Sequence, residues 1–311
     1  MDRDLKDLQE DCKTYSNSER VYRRLDKLPS ELRGIVEDAN GKEVLETGVT
    51  LFSYLAEVIR KKGEDGIPIW NIVKRGYPGH PYTDLVAPYF DVSRTQLLWY
   101  NVANRLDISP IVNAEIVFNI YFRWYIATME LMRKMLVFAE YCRRVAADDL
   151  GDFKYNHNLY NGGDVSDALR TRSSAGRGEI VCRFYELALR HALAHGNVMI
   201  ALPHLVAIRE AISTPGKGAT GFKQNIYRVG PGSTNKDVDK IVADFQRFAD
   251  PCFQSMRVFF SLYAWMDTKH AKVFKPHWIE DMGDEGVLRS IVEVTKADPD
   301  GTLHWGTSAN S

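Results

Sequence analysis

Ile111–Ala147 reads IVNAEIVFNIYFRWYIATMELMRKMLVFAEYCRRVAA and directly follows the pair Ser109-Pro110. Proline suits the first position of a helix because its fixed φ is already helical. An unbroken helix of this length would extend about 55 Å at the standard rise per residue. Its apolar side chains recur every three or four positions, the spacing of one helix face: Ile116, Ile120, Trp124, Ala127, Leu131, Met135 and Phe138. This stretch therefore predicts a long central helix.

The segments on either side indicate further helices. Glu43 to Lys62 has helical apolar spacing and closes with Lys61-Lys62-Gly63, cations and a glycine typical of a helix C-terminus. Only 66–73 and 222–229 are candidate strands. The sequence therefore predicts an all-α fold. Additional helices are expected at 2–27 with a break at 16–18, and at 93–106, 178–195, 198–213, 235–249, 252–272 and 285–297.

Three stretches rich in glycine, proline or small polar residues divide the chain. Residues 63–92 predict a long loop region with short helices at most, 148–176 a soft domain boundary and 214–234 a second loop, followed by a turn at 276–282. We expect a two-lobed helical protein with arms at both ends. Its parts are an N-terminal arm (1–30), an N-terminal helical lobe (31–150), a C-terminal helical lobe with basic loops (151–297) and a flexible C-terminal tail (298–311).

Composition indicates a folded, intracellular protein. Hydrophobic residues make up 45% and charged residues 26% of the chain, the balance of a globular protein. The four cysteines are scattered and form no CxxC pair, which argues against a zinc knuckle or a disulfide framework and favours a reducing compartment. The charged N-terminus lacks a signal-peptide pattern, and the most apolar stretch, 111–132, carries three charges. We expect a cytoplasmic location, or a virion if the protein is viral, and no membrane partner.

The charge is distributed unevenly along the chain. Residues 170–233 carry 9 basic and 3 acidic side chains, net +6, whereas 1–65 and 234–311 each have a net charge of −3. Arginines in a Ser/Gly loop before a predicted helix suit phosphate, and basic loops interleaved with aromatics suit single-stranded nucleic acid. The candidate contacts are Arg170, Arg172, Arg177, Arg183, Lys217, Lys223, Tyr227 and Arg228.

Two alternatives remain open for this basic segment. Its arginines can instead be solvated, or paired with the acidic flanks in the fold. Nucleotide hydrolysis is not expected, because Gly216-Lys217-Gly218 lacks the Ser/Thr and the glycine spacing of a Walker motif.

A histidine pair gives a competing hypothesis. His191 and His195 stand four residues apart on a predicted helix, with Glu186 upstream, which is a spacing that can place ligands on one helix face. The pair also continues an apolar stripe, so packed structural histidines without a metal are the favoured interpretation. We expect no cofactor.

The C-terminal tail supplies a candidate oligomer contact, because Leu303 and Trp305 are apolar in a polar context. The leading hypothesis is a non-enzymatic nucleic-acid-binding assembly protein. Its most concrete form is an RNA-encapsidating nucleoprotein or coat protein of the viral type, which binds single-stranded RNA and self-associates through terminal arms. The alternatives are a helical metal- or haem-dependent enzyme acting on a small molecule and a protein–protein scaffold.

Overall fold

The structure, a computed structural model, describes most of the chain. Side chains are described mainly within 3–186 and 247–274, while 198–246 and 278–306 are described by their backbone. The described residues are 2–17, 21, 32, 40–78, 80, 83–106, 111–186, 198–201, 205–214, 218–228, 235–274, 278–282, 288–297 and 303–306.

Helices dominate the described residues, which confirms the helical fold class. Short 3-10 turns at Gly63–Gly66, His157–Leu159 and Ser174–Gly176 connect some of them. The α-helices are α1 (Asp2–Tyr15), α2 (Gly41–Lys62), α3 (Ile67–Arg75), α4 (Val86–Ala103), α5 (Ile111–Ala147), α6 (Gly162–Arg172), α7 (Arg177–Cys182) and α8 (Asn235–Lys269).

Helix α5 has the bounds predicted from its sequence and contains 37 residues. Most of the predicted apolar face is buried, including Trp124, Leu131 and Met135. Ile116, near its N-terminal end, is instead 42% exposed. The long central helix is therefore confirmed, and its apolar stripe is buried along most of its length.

Helix α2 is packed on most of its surface, since fifteen of its 22 residues are buried. Gly48 permits a close approach by α8, because a Cβ at this position would lie 2.5 Å from the Ser255 carbonyl oxygen and from Val258 Cβ. At the C-terminus Gly63 has a φ of 58° and its N–H bonds to the Ile59 carbonyl, the backbone conformation for which glycine is favoured.

The region 63–92, predicted as a long loop with short helices at most, contains one helix of nine residues and the beginning of a long one. Pro68 lies in the first turn of α3, where a missing N–H costs nothing. Helix α4 begins at Val86, ahead of the predicted start at Ser93, and the Asp84 carboxylate accepts the Ala87 N–H at 2.7 Å in its first turn. The candidate strand at 66–73 is therefore wrong, because Pro68 lies in the first turn of α3, which covers most of this stretch.

Two further helix predictions need correction. The sequence predicts two helices separated near Pro251. The structure has instead one helix from Asn235 to Lys269 that includes this proline. The helix predicted from Gly178 to His195 ends at Cys182, and its residues beyond Glu186 lie outside the described part of the chain up to position 197.

Helix α1 packs against the protein rather than extending as an arm. Leu8, Cys12 and Tyr15, spaced four and three residues apart, are buried on one face. Asp11, on the same helix, contacts His270 Nε2 at 2.6 Å. The first part of the predicted N-terminal arm thus belongs to the packed core.

Two segments form antiparallel three-stranded sheets, ordered β1-β2-β3 and β4-β5-β6. The helices predicted at 198–213 and 285–297 are therefore wrong. The loop predicted at 218–221 and the turn predicted at 278–282 are also strands. The candidate strand near 222–229 is confirmed within β3. Val206, Ile208 and Ile212 alternate with other residues in β2, and β5 is rich in valine and isoleucine, which suits an extended backbone. The strands are β1 (Val198–Ala201), β2 (Leu205–Thr214), β3 (Gly218–Arg228), β4 (Trp278–Met282), β5 (Leu288–Ala297) and β6 (Leu303–Gly306).

The chain divides into two compact units that interleave along the sequence. Unit 1 comprises 1–87, 134–183 and 254–311, and unit 2 comprises 88–133 and 184–253. Two consecutive lobes are predicted, with a boundary at 148–176, but this stretch lies inside unit 1. The reason is that α6 and α7 pack with each other and α7 packs with α2.

Candidate functional site

The predicted basic loop before α7 is largely helical. Arg170 and Arg172 lie in the last turn of α6, and Arg177 is the first residue of α7. Gly178 lets the two helices close on each other, because a Cβ there would overlap the carbonyl of Leu169. The three arginines are therefore presented by a packed helical corner of unit 1.

Arg177 is an internal cation that joins α7 to α2. Its Nη1 donates to Glu57 Oε2 and its Nη2 to Ser53 Oγ, both at 2.8 Å. The guanidinium carbon also lies 4.1 Å from the centroid of the Tyr54 ring. Burial alone raises the pKa of the Glu57 carboxyl, but hydrogen bonds from Arg177 and Lys61 outweigh it and lower that pKa. Arg177 is committed to this contact, so it is not a free phosphate ligand.

Arg183 and Arg170 also have acidic partners. Arg183 Nη1 lies 2.9 Å from Glu46 Oε2 on α2. Arg170 Nε lies 3.4 Å from Glu179 Oε2 and its Nη1 lies 3.6 Å from Asp167 Oδ1. Pairing with the acidic N-terminal segment, the alternative left open by the sequence, is therefore confirmed for Arg177 and Arg183. The longer contacts of Arg170 involve exposed carboxylates.

Arg172 differs from these three arginines. Its side chain is exposed, and no described carboxylate oxygen lies within 4 Å of its guanidinium. It is the residue of the helical corner that is best placed to meet an anion from solvent.

The other predicted contacts fall on the β2–β3 hairpin of unit 2. Lys223 stands opposite Glu210 in the strand register, and Tyr227 and Arg228 occupy the end of β3 opposite Val206 and Leu205. Lys217 lies outside the described residues. The hairpin thus carries basic residues along a strand.

The histidine hypothesis falls largely outside the described residues. His191 and His195 are not among them, and Glu186 lies in an irregular segment after α7. Within the described residues, no group of three or more His, Cys, Asp or Glu side chains has the arrangement of a metal site.

The predicted oligomer contact lies in β6. Leu303 stands opposite Ala297 and Trp305 opposite Val294 of β5. Among the strands that the structure describes, 303–306 form an edge strand of a sheet, where a flexible tail is predicted.

A second cluster, which the sequence did not indicate, brings together three helices of unit 2. Trp99 of α4 lies 4.9 Å from Tyr121 of α5, and the Trp99 and Trp124 rings are stacked at 6.1 Å between centroids. Trp124 in turn contacts Phe253 of α8 at 6.3 Å. We call Trp99, Tyr100, Tyr121, Trp124, Asp250 and Phe253 the aromatic cluster.

Three polar atoms in the aromatic cluster are buried without a hydrogen-bond partner among the described residues. They are the indole Nε1 atoms of Trp99 and Trp124 and the carboxylate Oδ1 of Asp250. Burial raises the pKa of the Asp250 carboxyl to about 6. Burial, and then the nearby Asp250 carboxylate, raise the pKa of the Tyr121 and Tyr100 hydroxyls. Asp250 lies three residues before Phe253 on α8, and the Phe253 ring contacts that of Trp124.

Unit 1 has a buried ion pair that is fully partnered. Lys74 Nζ donates to both Asp267 oxygens, at 2.9 and 3.1 Å, and the Trp70 indole donates to Asp267 Oδ1 at 2.9 Å. The rings of Phe274 and Tyr263 both stack on the Trp70 ring. Because each buried charge lies beside an opposite charge, we interpret this cluster as a structural contact.

The four cysteines are buried free thiols. Burial raises the pKa of each thiol, in Cys182 to about 11. A nucleophilic role requires a thiolate, so these side chains act as small apolar groups.

The described helices were compared with the length and apolarity of membrane-spanning segments, and the chain was compared with known proteins. Among the helices that the structure describes, none combines the length and apolarity needed to traverse a lipid bilayer. No protein-family model, no curated protein and no solved structure matches this chain.

Proposed function

We propose that this protein binds single-stranded nucleic acid through the basic segment 170–233, with Arg172 as the principal contact on unit 1. The observation that carries the proposal is the exposed guanidinium of Arg172, in a segment whose formal net charge is +6 before the pairing of Arg177 and Arg183 is counted. Cations that lack acidic partners are free to replace the counterions of a phosphate backbone.

The ion pairs change which residues would take part. Arg177 and Arg183 hold α7 and its flank against α2, so their role is to position the corner that presents Arg172. Arg170 would contribute by exchanging its exposed carboxylate partners for a phosphate. Lys223 and Arg228 would provide a separate contact on unit 2.

The most concrete form of this function remains an RNA-encapsidating nucleoprotein or coat protein. Self-association would then use β6, because an edge strand presents unpaired backbone N–H and C=O groups that another chain can pair with. This replaces the terminal-arm mechanism, since α1 packs internally and residues 303–306 are part of a sheet.

The test measures binding of a fluorescein-labelled polyuridine oligonucleotide by anisotropy over a range of salt concentrations. Changing Arg172 to alanine should shallow the slope of log affinity against log salt by about 0.7, because one phosphate fewer is neutralised. Arg94→Ala, which removes an exposed arginine of α4 outside the basic segment, is the matched control. Absence of binding at low salt, or equal slopes for the two variants, contradicts the proposal.

A further inference from the structure

The aromatic cluster of unit 2 combines features that a purely structural core avoids. Buried polar groups in folded proteins nearly always have hydrogen-bond partners, and leaving one unpaired costs free energy. Here two indole N–H donors and one carboxylate oxygen lack partners within the same group of side chains, as far as the described residues show. Such a set of unused donors and an unused acceptor can be satisfied together by one bound molecule.

The side chains around these atoms indicate the charge of that molecule. Trp99, Tyr121 and Trp124 bring three aromatic rings together. The ring centroids are 4.9 Å apart for Trp99 and Tyr121, 5.6 Å for Tyr121 and Trp124, and 6.1 Å for Trp99 and Trp124. Aromatic faces attract cations, and tryptophan does so most strongly. The Asp250 carboxylate adds the matching negative charge. The cluster is therefore complementary to a cation.

The scarcity of acceptors indicates the kind of cation. A primary ammonium has three N–H donors, and each needs an acceptor once it is desolvated. Among the buried oxygens of the aromatic cluster that the structure describes, Oδ1 of Asp250 is the one without a hydrogen-bond partner. A methylated ammonium has few or no N–H donors and covers its charge with methyl groups, so aromatic faces and one carboxylate are sufficient for it.

The indole groups indicate a second functional group on the ligand. Trp99 and Trp124 each have an N–H without an acceptor among the described residues, and an indole nitrogen can only donate. A hydroxyl or carbonyl oxygen on the ligand would accept from them. Tyr100, 41% exposed, lies 4.5 Å from Trp99 by ring centroids, so one edge of the cluster lies at the protein surface.

We propose that the aromatic cluster of unit 2 binds a small methylated-ammonium compound that also carries an oxygen acceptor, with Asp250 as counter-ion and Trp99 and Trp124 as aromatic walls and donors. This site is independent of the nucleic-acid contact, since the two use different residues.

Three probes separate the requirements of the site. Choline has both the cation and the hydroxyl, 3,3-dimethylbutan-1-ol has the same shape without charge, and tetramethylammonium has the charge without the acceptor. Binding is followed by ¹⁹F NMR of protein containing 5-fluorotryptophan, with the resonances assigned by Trp99→Phe and Trp124→Phe. Choline should shift the resonances of Trp99 and Trp124 saturably, and the uncharged alcohol should not.

Variants then test the role of each residue. Asp250→Asn should weaken choline binding by about tenfold or more, as removal of a desolvated charge partner does, while Asp91→Asn, an exposed acid on α4, should leave it unchanged. Trp99→Phe keeps an aromatic ring and removes the N–H, so it should weaken choline more than tetramethylammonium. Lack of saturable choline binding, equal binding of the uncharged alcohol, or unchanged affinity in Asp250→Asn would each overturn the proposal.

Discussion

Replacing Asp250 with asparagine should stabilise this protein at neutral pH. The carboxyl of Asp250 has one oxygen without a hydrogen-bond partner among the described residues, and burial raises its pKa from 3.8 to about 6. Between these two pH values the folded protein retains a proton that the unfolded chain has released, so the free energy of unfolding falls as pH rises. Asparagine resembles the protonated acid and does not incur this loss.

The size of the effect follows from the change in pKa. A pKa raised from 3.8 to about 6 corresponds to about 3 kcal/mol when the group is fully desolvated. Asp250 is only partly buried, so solvent screening reduces this value, and we expect about 1–3 kcal/mol. Urea unfolding of both proteins at about pH 4 and at about pH 7 measures the difference at each pH, and the other titrating groups cancel.

The comparison has a defined control and a defined failure. Asp152→Asn removes an exposed carboxylate and should give the same small difference from the original protein at both pH values. If Asp250→Asn also shows a pH-independent difference, the inference that Asp250 is ionised in an unfavourable environment is wrong.

Four further perturbations test the packing. Gly48→Ala should lower the free energy of unfolding by about 1–3 kcal/mol or more, because the added methyl overlaps backbone of α8; urea unfolding measures this. Arg177→Ala and Glu57→Ala should each cost about 1–3 kcal/mol, and a double-mutant cycle should show coupling between them. Burial raises the pKa of the Asp11 carboxyl, but bonds from the end of α8 outweigh burial and lower it. Asp11→Asn should therefore lower the free energy of unfolding by less than about 1 kcal/mol at neutral pH, and this difference should vanish as pH falls below about 4. The four buried thiols should react with Ellman's reagent only after unfolding.

These perturbations have matched comparisons in the same chain. Gly151 has a φ of 50° and open space where a methyl group would be added, so Gly151→Ala should show only the cost of left-handed backbone, about 1–2 kcal/mol. Arg172→Ala should leave stability unchanged, since its side chain is exposed. A Gly48→Ala protein as stable as the original would contradict the close approach of α2 and α8.

The longest helices could be predicted from the sequence because their signals are redundant. Helix α5 has a proline at its start and more than nine turns of apolar spacing, and α2 ends in cations and a glycine. The strands could not be predicted in the same way. In β2, apolar residues at Val206, Ile208 and Ile212 alternate, but neighbouring alanines and leucine also fit a helical face, so the choice depends on pairing with β3.

The candidate site was predictable in composition but not in contacts. Charge counting identified the arginines at 170–183 as a basic group. Their partners Glu57 and Glu46 are 120 and 137 residues away in the chain, so no local pattern can reveal that Arg177 and Arg183 are already paired. The aromatic cluster likewise draws on three helices, and Asp250 has no distinguishing neighbour in the sequence.

The interleaving of the two compact units constrains how this protein can be cut or recombined. The chain passes between them at four places, after residues 87, 133, 183 and 253, and α4, α5 and α8 each continue through one of these crossings. No single truncation yields one unit without part of the other. A gene fusion or an exchange of exons that moved one unit intact would need several coordinated breakpoints, three of the four crossings being inside helices. The protein is therefore expected to be inherited as a whole, and its fragments are poor candidates for separate expression.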